Sequence, residues 1–327
     1  MITEEEVQQA QSNFQKIEES MAEVVVGQKN VINSALICLL CRGNLLLEGV
    51  PGLGKTLIVR TLASTLGLEF SRIQFTPDLM PADIVGTNII TEKRGERRFS
   101  FSEGPIFANV VLADEINRAT PKTQAALLEA MEEKTVTVGN ETYSLEEPFI
   151  VLATQNPIEM EGTYPLPEAQ VDRFTFKEDV RYPDLEELVE IAERNTENHG
   201  LTLPESRVTG EEILQARRVV EEIPLAVELR RYVARLVMAT HPSSEFAPSA
   251  VDSYVEYGAS PRAALSLIRG AKAHAFLAGE YNVSLEDIEA TFLPAFRHRL
   301  IFNFRGESEG IEVEKLLGEV WESVEVV

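Results

Sequence analysis

Residues Gly49-Val50-Pro51-Gly52-Leu53-Gly54-Lys55-Thr56 follow the spacing G-x-x-x-x-G-K-[ST], and the spacing has a physical reason. Glycines let the backbone curl until successive N–H groups point into one concavity of phosphate size. Lys55 adds a point charge for β- and γ-phosphates, and Thr56 offers a hydroxyl to Mg²⁺. A helix opening at Lys55, Thr56 and Leu57 aims the positive end of its dipole at the same anion. The chemistry implied is the binding of a nucleoside triphosphate.

A second constellation is Val110-Val111-Leu112-Ala113-Asp114-Glu115, an apolar strand ending in two acids. A carboxylate at the end of a buried strand is costly unless it meets a cation, and the ligand crevice of parallel sheets lies at those ends. Asp114 would hold Mg²⁺ through its water shell, and Glu115 would polarise an attacking water as general base. Taken alone, such a pair equally well ends a strand and caps a turn; beside a phosphate loop the chemical reading prevails. A third strand runs into Ala153-Thr154-Gln155-Asn156-Pro157. There Asn156 would orient the same water or contact the γ-phosphate, although an Asn before Pro is also a turn former.

The elements that must position these residues are legible around them. Leu45–Leu47, Val110–Ala113 and Phe149–Ala153 are short, wholly apolar runs, as expected for parallel strands covered on both faces. Helical segments alternate with them, at about 29–42, 55–66 and 121–133, the last with Thr120 as cap and Pro121 in the first turn. The alternation predicts an α/β fold with a doubly wound parallel sheet. Two hairpins interrupt it, at 87–91 with 98–102 and at 135–138 with 142–145, the second around Gly139-Asn140. Thr3 with Glu6 reads as a capping box opening a first helix that runs to about Met21.

Beyond Phe176 the character changes to helical. Leu229, Tyr232, Val233, Leu236 and Val237 form an amphipathic stripe, as do Ala264, Leu267, Ile268 and Ala271, and Ser284 with Asp287 opens another helix. The expected organisation is a nucleotide-binding domain over residues 1–180 and a helical domain over 181–327. The last 22 residues carry seven Glu and one Lys, with a short amphipathic helix expected around Leu316, Leu317 and Val320.

Charge narrows the functions. Lys plus Arg total 30 against 53 acids, a formal net charge of −23. Such a surface repels a phosphate backbone at long range, which argues against general nucleic-acid binding. Of the acids, 45 are Glu and 8 are Asp, which suits solvated helical faces. Lys93-Arg94-Gly95-Glu96-Arg97-Arg98, at the first hairpin, is a basic cluster in this acidic chain. It reads as a grip for an acidic segment or as a solvated tip neutralised by Glu92, Glu96 and Glu103. Cys38 and Cys41 have C-x-x-C spacing but lie in an apolar helix with no second pair, and the four histidines are scattered, so two small buried hydrophobes are expected rather than a metal site. The longest apolar run, Ala35–Cys41, is too short to span a bilayer. The first residues carry neither a basic start nor an apolar core, so the expectation is a cytoplasmic protein.

The order of phosphate loop, hairpin, Asp-Glu strand, second hairpin and Asn-ended strand resembles the AAA+ ATPases. Asp114-Glu115-Ile116-Asn117-Arg118-Ala119, Ala153–Pro157 and Glu161-Gly162-Thr163-Tyr164-Pro165-Leu166-Pro167-Glu168-Ala169-Gln170 with Asp172-Arg173-Phe174 narrow the resemblance to the MoxR family. The resemblance implies further roles. Gly27 and Gln28 would line the adenine, Asn156 would be sensor 1, and Arg173 the arginine finger that reaches a neighbour's γ-phosphate. Arg262, in Ser260-Pro261-Arg262-Ala263, would be sensor 2 of a helical lid. Arg173 paired with Asp172 or Glu168 as a surface salt bridge is the structural alternative.

The function implied is Mg²⁺-dependent ATP hydrolysis by a homo-oligomeric ring, a hexamer, that remodels or matures client proteins. Its expected partners carry a von Willebrand factor A domain. A helicase-like DNA motor, the ATPase subunit of a metal chelatase and a nucleotide switch without turnover are the alternatives; the net charge weighs against the first and the intact Asp114-Glu115 against the last.

Overall fold

A computed structural model describes residues 4–93, 96–157, 162–196, 203–206 and 208–325. Thr3 of the capping box, Arg94 and Gly95 of the basic hairpin tip, and Glu161 lie outside them, as do the side chains of Glu6 and of residues 91–99. The chain forms two compact units, one of Gln15–Leu166 and Glu178–Leu214, the other of Met1–Phe14, Pro167–Lys177 and Gln215–Val327.

The first unit is built on a sheet. Its strands in chain order are β1 (Leu45–Glu48), β2 (Phe70–Gln74), β3 (Gly86–Lys93), β4 (Glu96–Glu103), β5 (Val110–Asp114), β6 (Thr135–Val138), β7 (Glu141–Ser144), β8 (Ile150–Gln155) and β9 (Phe176–Asp179). Five form the main sheet in the order β2-β5-β8-β1-β9. The pairs β2/β5, β5/β8 and β8/β1 are parallel, and the chain passes from one unit to the other within β9. The apolar runs expected as strands are buried throughout: Leu45–Leu47, Val110–Ala113 and Ile150–Ala153 are 0–1 % exposed. Helices cover them at Lys29–Leu40, Lys55–Thr65 and Pro121–Glu133.

Both expected hairpins are present, β3 with β4 and β6 with β7, each antiparallel. Gly86 and Gly104 face one another at the base of the first. A Cβ on Gly86 would stand 2.3 Å from the Ser102 carbonyl, and one on Gly104 2.3 Å from that of Ile84. The hairpins also stack on each other, with the Phe101 and Tyr143 rings 4.1 Å apart between centroids.

The second unit is helical. Val227–Ala239, Pro261–Leu277, Leu285–Phe296 and Val313–Ser323 are its longer helices, and the expected stripe is buried at Tyr232, Val233 and Leu236. Ser284 and Asp287 form the expected capping box. The acidic C-terminal segment does fold into an amphipathic helix that buries Leu316, Leu317 and Val320. A two-stranded ribbon, β10 (Val255–Tyr257) with β11 (Ile301–Phe302), completes the unit.

Two features differ from expectation, the marginal strands and one helix cap. β2 and β9 were not signalled, because Phe70-Ser71-Arg72-Ile73-Gln74 and Phe176-Lys177-Glu178-Asp179 carry charged and polar residues where they pair at the sheet margins. Thr120 precedes its helix, but its hydroxyl lies 3.3 Å from that of Thr123 and makes no cap hydrogen bond. Cys38 and Cys41 are buried free thiols, as expected, and no cluster of metal-ligating side chains occurs among the described residues.

Candidate active site

The site is built by parallel strands ending side by side. The register aligns Glu48 with Gln155 and Gln74 with Asp114. The chain therefore leaves β1 into Gly49, β5 into Glu115 and β8 into Asn156 at one edge of the sheet.

Gly52 (φ 88°) and Gly54 (φ 75°) of the phosphate loop are left-handed, a region that a side chain strains. Gly49 is required for a different reason: a Cβ there would stand 2.9 Å from the Val180 carbonyl. Gly54 is the N-cap of the Lys55–Thr65 helix, so Lys55, Thr56 and Leu57 form its first turn, where backbone N–H groups have no partner within the helix. Val50, Leu53, Thr56 and Leu57 are half-buried, and Pro51 is exposed. Lys55 Nζ donates to the Gly49 carbonyl at 2.5 Å. Burial lowers the Lys55 pKa below its ordinary value, against the opposing fields of Asp114, Glu115 and Glu48.

Asp114 is 8 % exposed. Its Oδ1 accepts from Thr154 Oγ1 at 2.7 Å, and its Oδ2 from Arg72 Nη2 at 2.6 Å and Nε at 3.1 Å. Glu115 has a left-handed backbone, φ 57°, rare for a residue with a side chain and a conformation that clusters at functional sites. Its N–H donates to Thr154 Oγ1 at 2.8 Å. Its Oε2 accepts from Gln74 Nε2 at 2.9 Å and Arg118 Nη1 at 3.0 Å. A single hydroxyl on the neighbouring strand thus sets both acids. Asn156 is 4 % exposed, one residue past β8.

Gly27 and Gln28 belong to the same unit and are held by the chain that follows β9. Gln28 Nε2 donates to the Arg181 carbonyl and Arg181 Nη2 to the Gly27 carbonyl, each at 3.0 Å, while Arg181 pairs with Glu187 at 2.5 Å. Gly27 is left-handed at φ 76°, and a Cβ there would lie 2.3 Å from the Glu187 carboxyl carbon.

Arg173 and Arg262 lie in the helical unit, where Asp172 joins them. Arg262 Nη1 is 3.7 Å from Asp172 Oδ2. Ser260, the N-cap of the Pro261–Leu277 helix, donates to the same carboxylate at 2.9 and 3.0 Å and accepts the Arg262 N–H at 3.1 Å.

Residues 44–176 match the family described as the ATPase family associated with various cellular activities (AAA), and residues 247–319 match the AAA lid domain. The chaperone MoxR1 of Mycobacterium tuberculosis is 43% identical over 92% of this chain and 79% of its own length. The chain belongs to the MoxR family of AAA+ ATPases. An uncharacterized Bacillus subtilis protein, YeaC, is 41% identical over 95% of this chain and 94% of its own. The crystal structure of a Cytophaga hutchinsonii protein assigned as an ATPase superposes with a TM-score of 0.93 at 44% identity, over 99% of this chain and 98% of that one. The fold is accordingly the AAA+ arrangement expected, a parallel-sheet core carrying two hairpins and a helical lid.

Several residues of this MoxR-family site escaped the sequence reading. Arg72, Gln74 and Thr154 occupy strand positions whose neighbours are known only once the sheet order is known. Thr154 stood two residues before Asn156 in the motif, and its placement near the end of a strand was the available signal. Arg299, described below, carried a weaker one: a basic residue just past a helix C-terminus.

Proposed function

We propose that this chain is a Mg²⁺-dependent ATPase that works as a ring and remodels client proteins in the manner of a chaperone, with partners that carry a von Willebrand factor A domain. One observation supports the catalytic part above all: Thr154 fixes Asp114 and Glu115 at the strand end beside the loop that carries Lys55. The donor set also fits Mg²⁺, which takes hard oxygen ligands and keeps several waters. Thr56 would bind it directly and Asp114 through water, since both Asp114 oxygens already accept hydrogen bonds from protein. Held there, Mg²⁺ would neutralise part of the phosphate charge.

The chain's own groups divide the rest of the work. Loop N–H groups and the first turn of the Lys55–Thr65 helix bind the phosphates. Lys55 gives up its hydrogen bond to the Gly49 carbonyl to reach them. Glu115 accepts the proton of the attacking water, and Asn156 orients that water or meets the γ-phosphate. Gly27 and Gln28 line the base, held by Arg181. Arg173 of a neighbouring copy supplies the external cation, a contribution of roughly 10³–10⁵ in rate, and Arg262 acts as sensor 2. Phosphoryl transfer to water needs this positioning and neutralisation more than covalent chemistry.

Turnover measured over a range of protein concentrations tests the reading. Activity per subunit should rise as the ring assembles and fall by roughly 10³–10⁵-fold, to a residual rate that can still be measured, in Arg173→Ala. Full activity of isolated single subunits overturns the ring mechanism. Stimulation by single-stranded DNA would favour a DNA motor instead, against which the net charge of −23 argues. A pull-down with Glu115→Gln in ATP identifies the client and shows whether a von Willebrand factor A protein accompanies it.

A further inference from the structure

We infer that Arg299 is a positioning residue for Arg173, and that it fixes the direction of the finger by holding the backbone on both sides of it. The inference rests on reading Arg173 as the arginine finger. Arg299 stands in the turn after the Leu285–Phe296 helix, and its side chain is 1 % exposed. Its Nε donates to Asp172 Oδ1 at 2.7 Å. Nη2 donates to the Asp172 carbonyl at 3.1 Å, the Phe174 carbonyl at 2.6 Å and Ser266 Oγ at 3.2 Å. Nη1 donates to the Thr175 carbonyl at 3.2 Å and to the Ala295 carbonyl. A guanidinium has five N–H donors in a rigid plane, and here they meet oxygens from residues 172, 174 and 175, which bracket Arg173.

A role in stability alone does not require this choice of residue. Burying an ion pair costs desolvation energy, and apolar replacements of similar volume are often as stable. What a methionine or leucine cannot do is grip carbonyls of three residues in one turn. The grip is reinforced by His298, whose Nε2 lies 3.1 Å from the same Phe174 carbonyl. Asp172 carries the arrangement to Arg262 and Ser260, so the finger turn and the start of the sensor 2 helix share one carboxylate. A long side chain aimed at a distant phosphate magnifies any tilt of its backbone, and misplacement by about 1 Å can cost 10²-fold in rate.

Single-turnover hydrolysis and nucleotide binding in the full-length chain test this. Arg299→Met should bind ATP with unchanged Kd and lower kcat by about 100-fold. Arg299→Lys keeps the charge but loses the fork, and serves as the second variant if the methionine chain does not fold; it should lose rate to a smaller extent. The deciding measurement is made in Arg173→Ala. With the finger gone, replacing Arg299 should cost no more than about twofold further, the usual limit of additivity error. A further loss there equal to that in the wild-type background, or wild-type kcat in Arg299→Met and Arg299→Lys, overturns the inference. Wild-type kcat in Arg173→Ala itself overturns the finger reading instead.

Discussion

The hydroxyl of Thr154 donates to the carboxylate of Asp114 across the β5–β8 pair at 2.7 Å. Because the same oxygen accepts the Glu115 N–H, it joins the acid assigned to Mg²⁺ to the one assigned to water. Thr154→Val keeps the shape and removes both hydrogen bonds, leaving a buried acceptor and a buried donor unmade, at a cost of about 1–3 kcal/mol each. The expected result is a lower Tm together with at least about a tenfold fall in kcat, while ATP still binds. Wild-type turnover in a folded Thr154→Val chain would show that the acids need no such tie.

Lys55 and Glu115 should fail in opposite ways. Lys55→Ala removes the cation from the loop while the phosphates keep their charge, so nucleotide binding itself should be lost. Glu115→Gln keeps a side chain that can still meet Gln74 and Arg118 but removes the proton acceptor. It should therefore bind ATP with near-normal Kd and turn over at least about 100-fold more slowly, the lower range expected for loss of a general base. Equilibrium binding of a labelled nucleotide and steady-state turnover separate the two. A Glu115→Gln chain that cannot bind ATP would contradict the assignment.

Gly27 gives a test of the adenine-side loop. Alanine there carries the left-handed backbone penalty, roughly 1–2 kcal/mol, and drives its Cβ into the Glu187 carboxyl group. Gly27→Ala should weaken ATP binding by about tenfold or more, since 1.4 kcal/mol corresponds to tenfold. Adding Glu187→Ala should relieve the collision but not the backbone strain. Calorimetric titration of the single and double variants reads the difference. Unchanged affinity in Gly27→Ala would remove this loop from the nucleotide site.

What was legible in the sequence, and what was not, follows from the range of the interactions. Phosphate-loop glycines, helix caps and wholly apolar strands are local signals, and Leu45–Leu47, Val110–Ala113 and the Pro121–Glu133 helix lie where they were expected within a residue or two. β2 and β9 were missed because a marginal strand with polar residues lacks both an apolar run and a clean alternation. Arg72, Arg181 and Arg299 were invisible as partners for another reason. Each reaches a residue 42, 154 or 127 positions away, and no local pattern encodes such a pairing. Two of the left-handed residues at the site, Gly27 and Glu115, differ instructively. A glycine advertises its freedom, whereas the left-handed Glu115 is held by hydrogen bonds to Thr154 and Gln74, 39 and 41 positions away, besides the nearby Arg118.

His298 supplies a pH dependence with a definite sign. Burial holds its pKa well below 6.5, and the positive charges of Arg299, Lys177 and Arg297 push the same way, against the hydrogen bond to the Phe174 carbonyl. The folded chain therefore keeps this imidazole neutral, while in the unfolded chain it takes a proton near pH 6.5. Between those two pKa values the unfolded state binds the extra proton, so stability is complete above about pH 6.5 and declines as the pH falls, by about 1.4 kcal/mol per pH unit within the window. His298→Asn retains a donor for Phe174 but cannot titrate. Thermal unfolding at several pH values between 8 and 5 should show wild-type Tm falling more steeply below about pH 6.5 than that of the variant. Parallel Tm slopes in both chains would place the proton uptake elsewhere.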